Sequence, residues 1–247
     1  MDIGSRTIKY SLLEDLKVLD YRIIDTGIDP LSNAKKLINK QKFNKLIATG
    51  YGRYLAQNSF DCEVITEIKA YTLGANYLHP GTNTIIDVGG QDSKIIQANG
   101  ERIEDFVMND RCAAGTGRFL EIMATTLGFS IDQFGEEAIK ASRQVTINSM
   151  CTVFAESEVI SLISKGESTQ NIARGLHDAV INRLFALIGR INLDNNIMFA
   201  GGVAKNTCIA ALLEERLGKK IYVPEEPQIV GSIGAALAAG NYSKGRR

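Results

Sequence analysis

Asp2-Ile3-Gly4-Ser5-Arg6-Thr7-Ile8-Lys9 opens the chain. Asp87-Val88-Gly89-Gly90-Gln91-Asp92-Ser93-Lys94 repeats its pattern, with the aspartate, the glycine and the lysine each displaced by 85 residues. A displacement of that length predicts duplication of a whole subdomain. After each glycine the residues read as strands, over 7–13 and 18–25 in the first copy and over 93–98 and 102–108 in the second, where Asn99-Gly100 is a hairpin signal. Each copy is therefore strand, tight turn, strand, turn, strand. A helix over 31–40 follows the first copy, then short strands over 45–49 and 63–66, and a helix over 68–78 closed by His79-Pro80-Gly81.

Beyond Met108 the pattern turns helical, with helices expected over 113–127, 131–141, 153–164 and 169–191. In the last of these, Ile172, Leu176, Val180, Leu184, Leu187, Ile188 and Ile191 recur at three- and four-residue steps, so one stripe is buried. A strand over 197–200 leads into Gly201-Gly202 and a helix ending at 217. A strand over 220–223 follows, and Pro224 and Pro227 break the chain before a final helix over 228–239. No flexible linker separates the halves. The expected fold is α/β, duplicated, with a cleft between two subdomains: residues 1–80, with the C-terminal stretch 228–247 packing back on them, and residues 81–227.

Composition narrows the function. The 247 residues carry 28 Lys plus Arg against 28 Asp plus Glu, so there is no chain-wide basic field for nucleic acid. No apolar run would span a bilayer and no signal-peptide pattern opens the chain, which makes cytoplasm the expected compartment and gives no membrane partner. Four cysteines (Cys62, Cys112, Cys151, Cys208) in a chain of this length argue against a disulfide scaffold. His79 and His177 form no zinc-like cluster, and no G-x-S-x-G elbow hosts a nucleophilic serine.

A carboxylate at a strand end beside a glycine-rich turn offers backbone N–H groups to a phosphate and an oxygen to hydrated magnesium. One Asp-x-Gly turn alone is adequately explained as a hairpin. Two of them facing each other would clamp the phosphates of a nucleotide. Gly201-Gly202-Val203-Ala204-Lys205-Asn206, between a strand and a helix, supplies a third glycine turn. The P-loop route is closed: no G-x4-G-K-[ST] exists, and Gly115-Thr116-Gly117 is not followed by lysine.

These turns resemble those of the acetate and sugar kinase, heat-shock-70 and actin superfamily. Within it, four stretches resemble the ATP-dependent activators of 2-hydroxyacyl-CoA dehydratases and the related ATPase subunits of benzoyl-CoA reductase (the BadF/BadG/BcrA/BcrD family). They are residues 48–53 (ATGYGR), 86–92 (IDVGGQD), 108–119 (MNDRCAAGTGRF) and 151–160 (CTVFAESEVI). With Gly201-Gly202-Val203-Ala204 and the closing 231–236 segment, the resemblance spans nearly the whole chain. It implies an actin-like, ribonuclease H-like fold and a homodimer with one bridging 4Fe-4S cluster ligated by Cys112 and Cys151 of each chain. It also implies ATP-driven transfer of one electron, received from ferredoxin or flavodoxin, to the dehydratase. Both cysteines follow residues suited to cap a helix, Asn109-Asp110 and Asn148-Ser149, and a helix start lowers a thiol pKa. From spacing alone, 39 residues apart with no C-x-x-C, two buried small hydrophobes are the favoured reading, and only the resemblance reverses it for Cys112 and Cys151.

Carried over position by position, the resemblance makes Asp2, Asp87 and Gln91 the catalytic set, with the two aspartates holding Mg2+ through water or positioning the attacking water. Gly4, Ser5, Arg6, Thr7 and Lys9 match the first phosphate hairpin, and Gly89, Gly90 and Asp92 the second. Glu67 matches an acidic family position, and Gly201, Gly202, Asn206 and Gln228 would border the adenosine. Cys62 and Cys208 fall outside the ligand stretches and read as packing residues. Gly115 and Gly117, costly in a helix, predict close backbone approach by nucleotide or by a second protomer. One departure concerns the start: family members have several residues before the first Asp-x-Gly, so either translation starts upstream or the first strand is nearly missing, and the second case predicts a poorly anchored turn and weakened ATP affinity. A small-molecule kinase and a nonredox actin-like ATPase remain rival readings, as does a benzoyl-CoA reductase subunit.

Overall fold

The computed structural model describes residues 1–39, 41–109, 113–148 and 151–244. Strands β1 (Asp2–Ile3), β2 (Thr7–Glu14) and β3 (Lys17–Asp25) form an antiparallel meander that pairs Asp2 with Lys9 and Thr7 with Asp25. Strand β4 (Ile47–Ala48) runs parallel to β5 (Glu63–Val64), and a parallel bridge from Asp2 to Thr49 attaches the β4 end to β1. The second sheet contains β6 (Thr84–Val88), β7 (Ser93–Asn99), β8 (Arg102–Met108), β9 (Ile197–Ala200) and β10 (Ile221–Tyr222), in the spatial order β10-β9-β6-β7-β8. Laid out as β5-β4-β1-β2-β3, the first arrangement has the same order and the same strand directions. The register repeats as well, because Asp87 pairs with Lys94 as Asp2 pairs with Lys9. The duplicated α/β fold expected from the repeat, with the actin-like arrangement that the resemblance implies, is thus present.

The first turn is better held than its two-residue strand predicts. Ile3 N–H donates to Thr49 O at 3.0 Å and Thr49 N–H to Met1 O at 2.9 Å, while Thr26 reaches across from the end of β3, its hydroxyl donating to Gly4 O at 2.8 Å. Neighbouring strands on both sides supply the anchorage that length along the chain does not.

Helices α1 (Pro30–Ile38) and α3 (Glu67–Leu78) begin at Asp29 and Thr66, whose side chains accept backbone N–H groups as N-caps do. The short α2 (Arg53–Gln57), not foreseen, starts after Gly52 without a side-chain cap. In the second half follow α4 (Gly117–Thr126), α5 (Ile131–Ile139), α6 (Thr152–Ser164), α7 (Thr169–Ile188), α8 (Thr207–Leu217) and α9 (Val230–Lys244). The α7 stripe from Ile172 to Ile188 is buried against Ile86, Val88, Ile95, Phe119, Met123 and Phe199, which makes this helix the spine of the larger core. A smaller core of Ile3, Ile8, Tyr10 and Leu37 lies under the first sheet. Helix α4 starts four residues later than its sequence predicts because Gly115 has φ +81°, outside the right-handed helical region.

Helix α3 packs on β6, β7 and β8, α9 packs on β2 and β4, and the two helices cross each other. The crossing is close: a Cβ added to Gly234 would lie 1.7 Å from Ala70 O, and one added to Gly74 would lie 2.0 Å from Val230 O. Only glycine lets the backbones meet there. No helix among the described residues is long and apolar enough to cross a membrane.

Candidate functional site

The two Asp-x-Gly turns have the same hydrogen bonding. Gly4 N–H donates to Thr7 O at 3.0 Å, and Gly89 N–H to Asp92 O at 2.9 Å. The turns face each other, since a Cβ on Gly90 would touch Arg6 Cβ at 2.9 Å and Ser5 Oγ at 3.5 Å. Between them opens a cavity of about 770 Å³, within the range of small-molecule and cofactor sites. Its lining takes in Asp2, Gly4, Ser5, Arg6, Thr7 and Lys9 from the first turn, Asp87, Gly89, Gly90, Gln91 and Asp92 from the second, and Glu67, Gly201, Gly202, Asn206 and Gln228 from elsewhere. Residues as far apart as Asp2 and Gln228 are brought together because α9 returns to the first sheet.

Each aspartate has a glycine pressed against it. A Cβ on Gly201 (φ +85°) would lie 2.5 Å from Asp87 Oδ1, and one on Gly50 (φ +90°) would lie 2.3 Å from Asp2 Oδ1. Gly50 is therefore the first-half counterpart of Gly201, each closing the turn after a strand that flanks the aspartate's own. The second turn is also braced from α4: Gly117 N–H donates to Gly89 O at 2.9 Å, Arg118 N–H to Gly90 O at 3.0 Å, and Thr116 Oγ1 to Gly90 O at 3.1 Å. Gly115 and Gly117, expected to be approached by nucleotide or a second protomer, already have close neighbours within the chain. The group approaching Gly117 is the second turn's own backbone, and Gly115 makes room for Arg183, whose Cγ would be 2.8 Å from an added Cβ.

The electrostatics of the two turns differ. Lys9 Nζ meets Asp2 Oδ2 at 3.3 Å, a simple pair. Lys94 Nζ meets Glu67 Oε2 at 2.7 Å, Asp92 Oδ1 at 2.8 Å and Asp87 Oδ2 at 3.3 Å. Burial alone would lower the Lys94 pKa, but the three carboxylates hold it above its ordinary value. Asp87, 1% exposed, is pushed up to about 6 by burial, which Lys94 opposes and Asp92 and Glu67 reinforce. Tyr71 on α3 lies in the floor of the cavity. Burial, then the charges of Asp87, Asp2 and Glu67, push its hydroxyl well up and keep it a neutral donor.

Asp87 Oδ1 is buried and has no hydrogen-bond partner. An orphaned carboxylate oxygen, in a cluster with more carboxylates than cations, suits a hard, hydrated cation. Among the described residues no group of His, Cys, Asp and Glu is arranged to hold a metal directly.

Near Gly201, Gln228 packs over Gly202, with Nε2 3.4 Å from the position of an added Cβ, and Lys205 pairs with Glu226 at 2.7 Å. Asn206 lines the cavity, but its side chain is committed elsewhere: Oδ1 caps α8 at Ile209 N–H, and Nδ2 donates to His177 Nε2 at 2.9 Å. His177 is fully buried and its Nδ1–H donates to Ala173 O at 2.7 Å, which leaves Nε2 free to accept; burial lowers its pKa to about 4.

Cys112 lies outside the described residues. Cys151 stands at the N-cap of α6 with its side chain exposed. Next to it Val153 and Phe154 are 68% and 67% exposed, an apolar patch at the start of the helix. Cys62 and Cys208 are packing residues with thiols raised by burial, Cys208 to about 11. A 4Fe-4S cluster needs four thiolates, so Cys112 and Cys151 of one chain would supply half a set.

Sequence reading missed Tyr71, Lys94, Lys205 and Arg53 as cavity residues. For Tyr71 the signal was its place one helical turn after Glu67. For Lys94 it was the repeat itself, in which only Lys9 was taken as a site residue.

The sequence pattern of the BadF/BadG/BcrA/BcrD ATPase family matches residues 21–239. Component A of (R)-2-hydroxyglutaryl-CoA dehydratase from Acidaminococcus fermentans superposes with a TM-score of 0.91 at 35% identity, over 98% of this chain and 97% of that one. The activator of 2-hydroxyisocaproyl-CoA dehydratase from Clostridium difficile, solved with bound ADPNP, superposes with a TM-score of 0.90 at 36% identity, over 99% and 94%. A benzoyl-CoA reductase subunit of Thauera aromatica is 32% identical over 197 residues, 76% of this chain and 68% of that one. With the family pattern covering most of its length and whole-length likeness to two activators, the chain belongs to the BadF/BadG/BcrA/BcrD ATPase family.

Proposed function

We propose that the protein is an ATP-hydrolysing activator of a 2-hydroxyacyl-CoA dehydratase, a cytoplasmic homodimer that delivers one electron at a time. The observation that carries this reading is the exposed Cys151 at the start of α6, flanked by exposed apolar residues, in a chain alike over its whole length to named dehydratase activators. An exposed thiol beside an apolar patch is what a group shared across a twofold interface requires. Cys112 and Cys151 of each chain would hold one 4Fe-4S cluster per dimer. When bound, that cluster supplies a low-potential electron, received from ferredoxin or flavodoxin.

In the cleft, the turn amides around Gly4 to Thr7 and Gly89 to Asp92 would hold the phosphates, and Gly201, Gly202 and Gln228 would border the adenosine. Asp87 would hold Mg2+ through water, as its unpaired oxygen favours, while Asp2 and Gln91 orient the attacking water. Phosphoryl transfer needs such positioning and charge neutralisation more than covalent help. Closure of residues 1–80 on residues 81–227 would act on the second turn and on α4, which hydrogen-bonds it.

A second reading, subunit of a benzoyl-CoA reductase, has the Thauera likeness behind it. The activator reading covers more of both chains. Iron analysis of anaerobically purified protein tests it. The expected result is about four irons per dimer, lost in both Cys112→Ala and Cys151→Ala; iron-free, monomeric protein would overturn it.

A further inference from the structure

Five cationic side chains line the cavity: Arg6, Lys9, Arg53, Lys94 and Lys205. Four are spent on carboxylates. Lys9 pairs with Asp2, Lys94 with Glu67, Asp87 and Asp92, Lys205 with Glu226, and Arg6 with Glu121 at 2.8 Å and Asp25 at 3.0 Å. Arg53 makes no ion pair among the described residues. Its Nη1 donates to Gly50 O at 3.1 Å and its guanidinium lies 4.5 Å from the centre of the Tyr54 ring.

Its position is fixed by the duplication. Residues 50–53 follow β4 as residues 201–204 follow β9, and each of these turns is pressed against the aspartate of its own half. Gly52 N–H donates to Ile3 O at 2.9 Å and pins the segment to β1. The Gly201 turn, with Gln228 over Gly202, forms the wall read as the adenosine end. By the same pseudo-symmetry the Gly50 turn, pressed against Asp2, is the counterpart of that wall in the first half, and Arg53 is the cation it contributes to the cavity lining. A guanidinium tied only to one carbonyl and a ring can turn to an anion at little cost, and its planar fork suits phosphate oxygens.

We infer that Arg53 is the residue that binds the terminal phosphate of the nucleoside triphosphate and so lets the protein tell triphosphate from diphosphate. The inference rests on the nucleotide reading above. The test is calorimetric titration of the anaerobic full-length protein with ADPNP and with ADP, each with Mg2+, for wild type, Arg53→Gln and Arg53→Lys. Arg53→Gln is expected to weaken ADPNP binding about 10- to 100-fold and to leave ADP binding within about twofold, with Arg53→Lys intermediate. Unchanged ADP binding also shows that the variant is folded. Equal weakening of both nucleotides, or no weakening of ADPNP, would overturn the assignment alone. Wild-type protein that binds neither nucleotide would overturn the nucleotide reading and Arg53's role together.

Discussion

The Asp2 turn and the Asp87 turn share strand order, register and hydrogen bonds, yet their surroundings carry different charge. Around Asp2 one carboxylate meets one ammonium, Lys9, and the pair is neutral. Around Asp87 the carboxylates of Asp87, Asp92 and Glu67 meet only Lys94, which leaves two negative charges in excess and one buried oxygen unbonded. The duplicated backbone supplies turn N–H groups on both sides, while the diverged side chains make one side neutral towards phosphate and the other receptive to a cation. Duplication built the frame of the cleft, and the loss of charge symmetry gave it a direction.

Removing the two lysines should expose that asymmetry most strongly. Lys94→Met strands three carboxylates, two of them largely buried, and is expected to cost about 3–5 kcal/mol in urea unfolding, whereas Lys9→Met strands one and should cost about half as much. Equal losses would erase the distinction between the two turns.

The next test concerns the α8 start, where Asn206 caps the helix and His177 holds Asn206; the matching α2 start at Gly52 has no side-chain cap. His177 titrates near 4 in the fold against an ordinary 6.5, so the unfolded chain binds the extra proton between those values. The stability it contributes is fully present above pH 6.5 and is lost as pH falls towards 4, by up to roughly 3 kcal/mol. Comparing wild type with His177→Gln across this range should show a loss of stability towards pH 4 that is larger in the wild type, because Asp87 titrates in the same window in both proteins.

The smallest effect lies at the outer hairpins. The second copy turns through Gly100 at φ +60°, but the first turns through Asp15 and Leu16 at φ +47° and +62°, where a side chain is strained. Leu16→Gly should raise the unfolding free energy by about 0.5–1 kcal/mol, read as a shifted urea midpoint.

What the sequence made legible follows from what is local in it. The 85-residue repeat, the Asn99-Gly100 hairpin and the α7 stripe each reside in a short pattern, and the structure contains all three. The paired lysines could have been read too, because Lys9 and Lys94 belong to the repeat. Other features depend on contacts between distant segments. Gly117 is glycine because Gly89 passes beside it, Gly50 because Asp2 does, and Gly234 because it crosses α3 at Ala70. The anchorage of β1 likewise comes from Thr49 and Thr26, and the free state of Arg53 is defined only once every other cation in the cleft has found its carboxylate.

On the proposed reading, a nucleotide held between the two turns governs a redox centre shared by two chains. The most direct test is the electron paramagnetic resonance spectrum of the anaerobic, dithionite-reduced dimer with and without Mg2+ and ADPNP. The spectrum is expected to change on adding the nucleotide in wild type and to stay unchanged in Asp87→Asn. A wild-type spectrum indifferent to bound ADPNP, or no reduced-cluster signal at all, would contradict that reading.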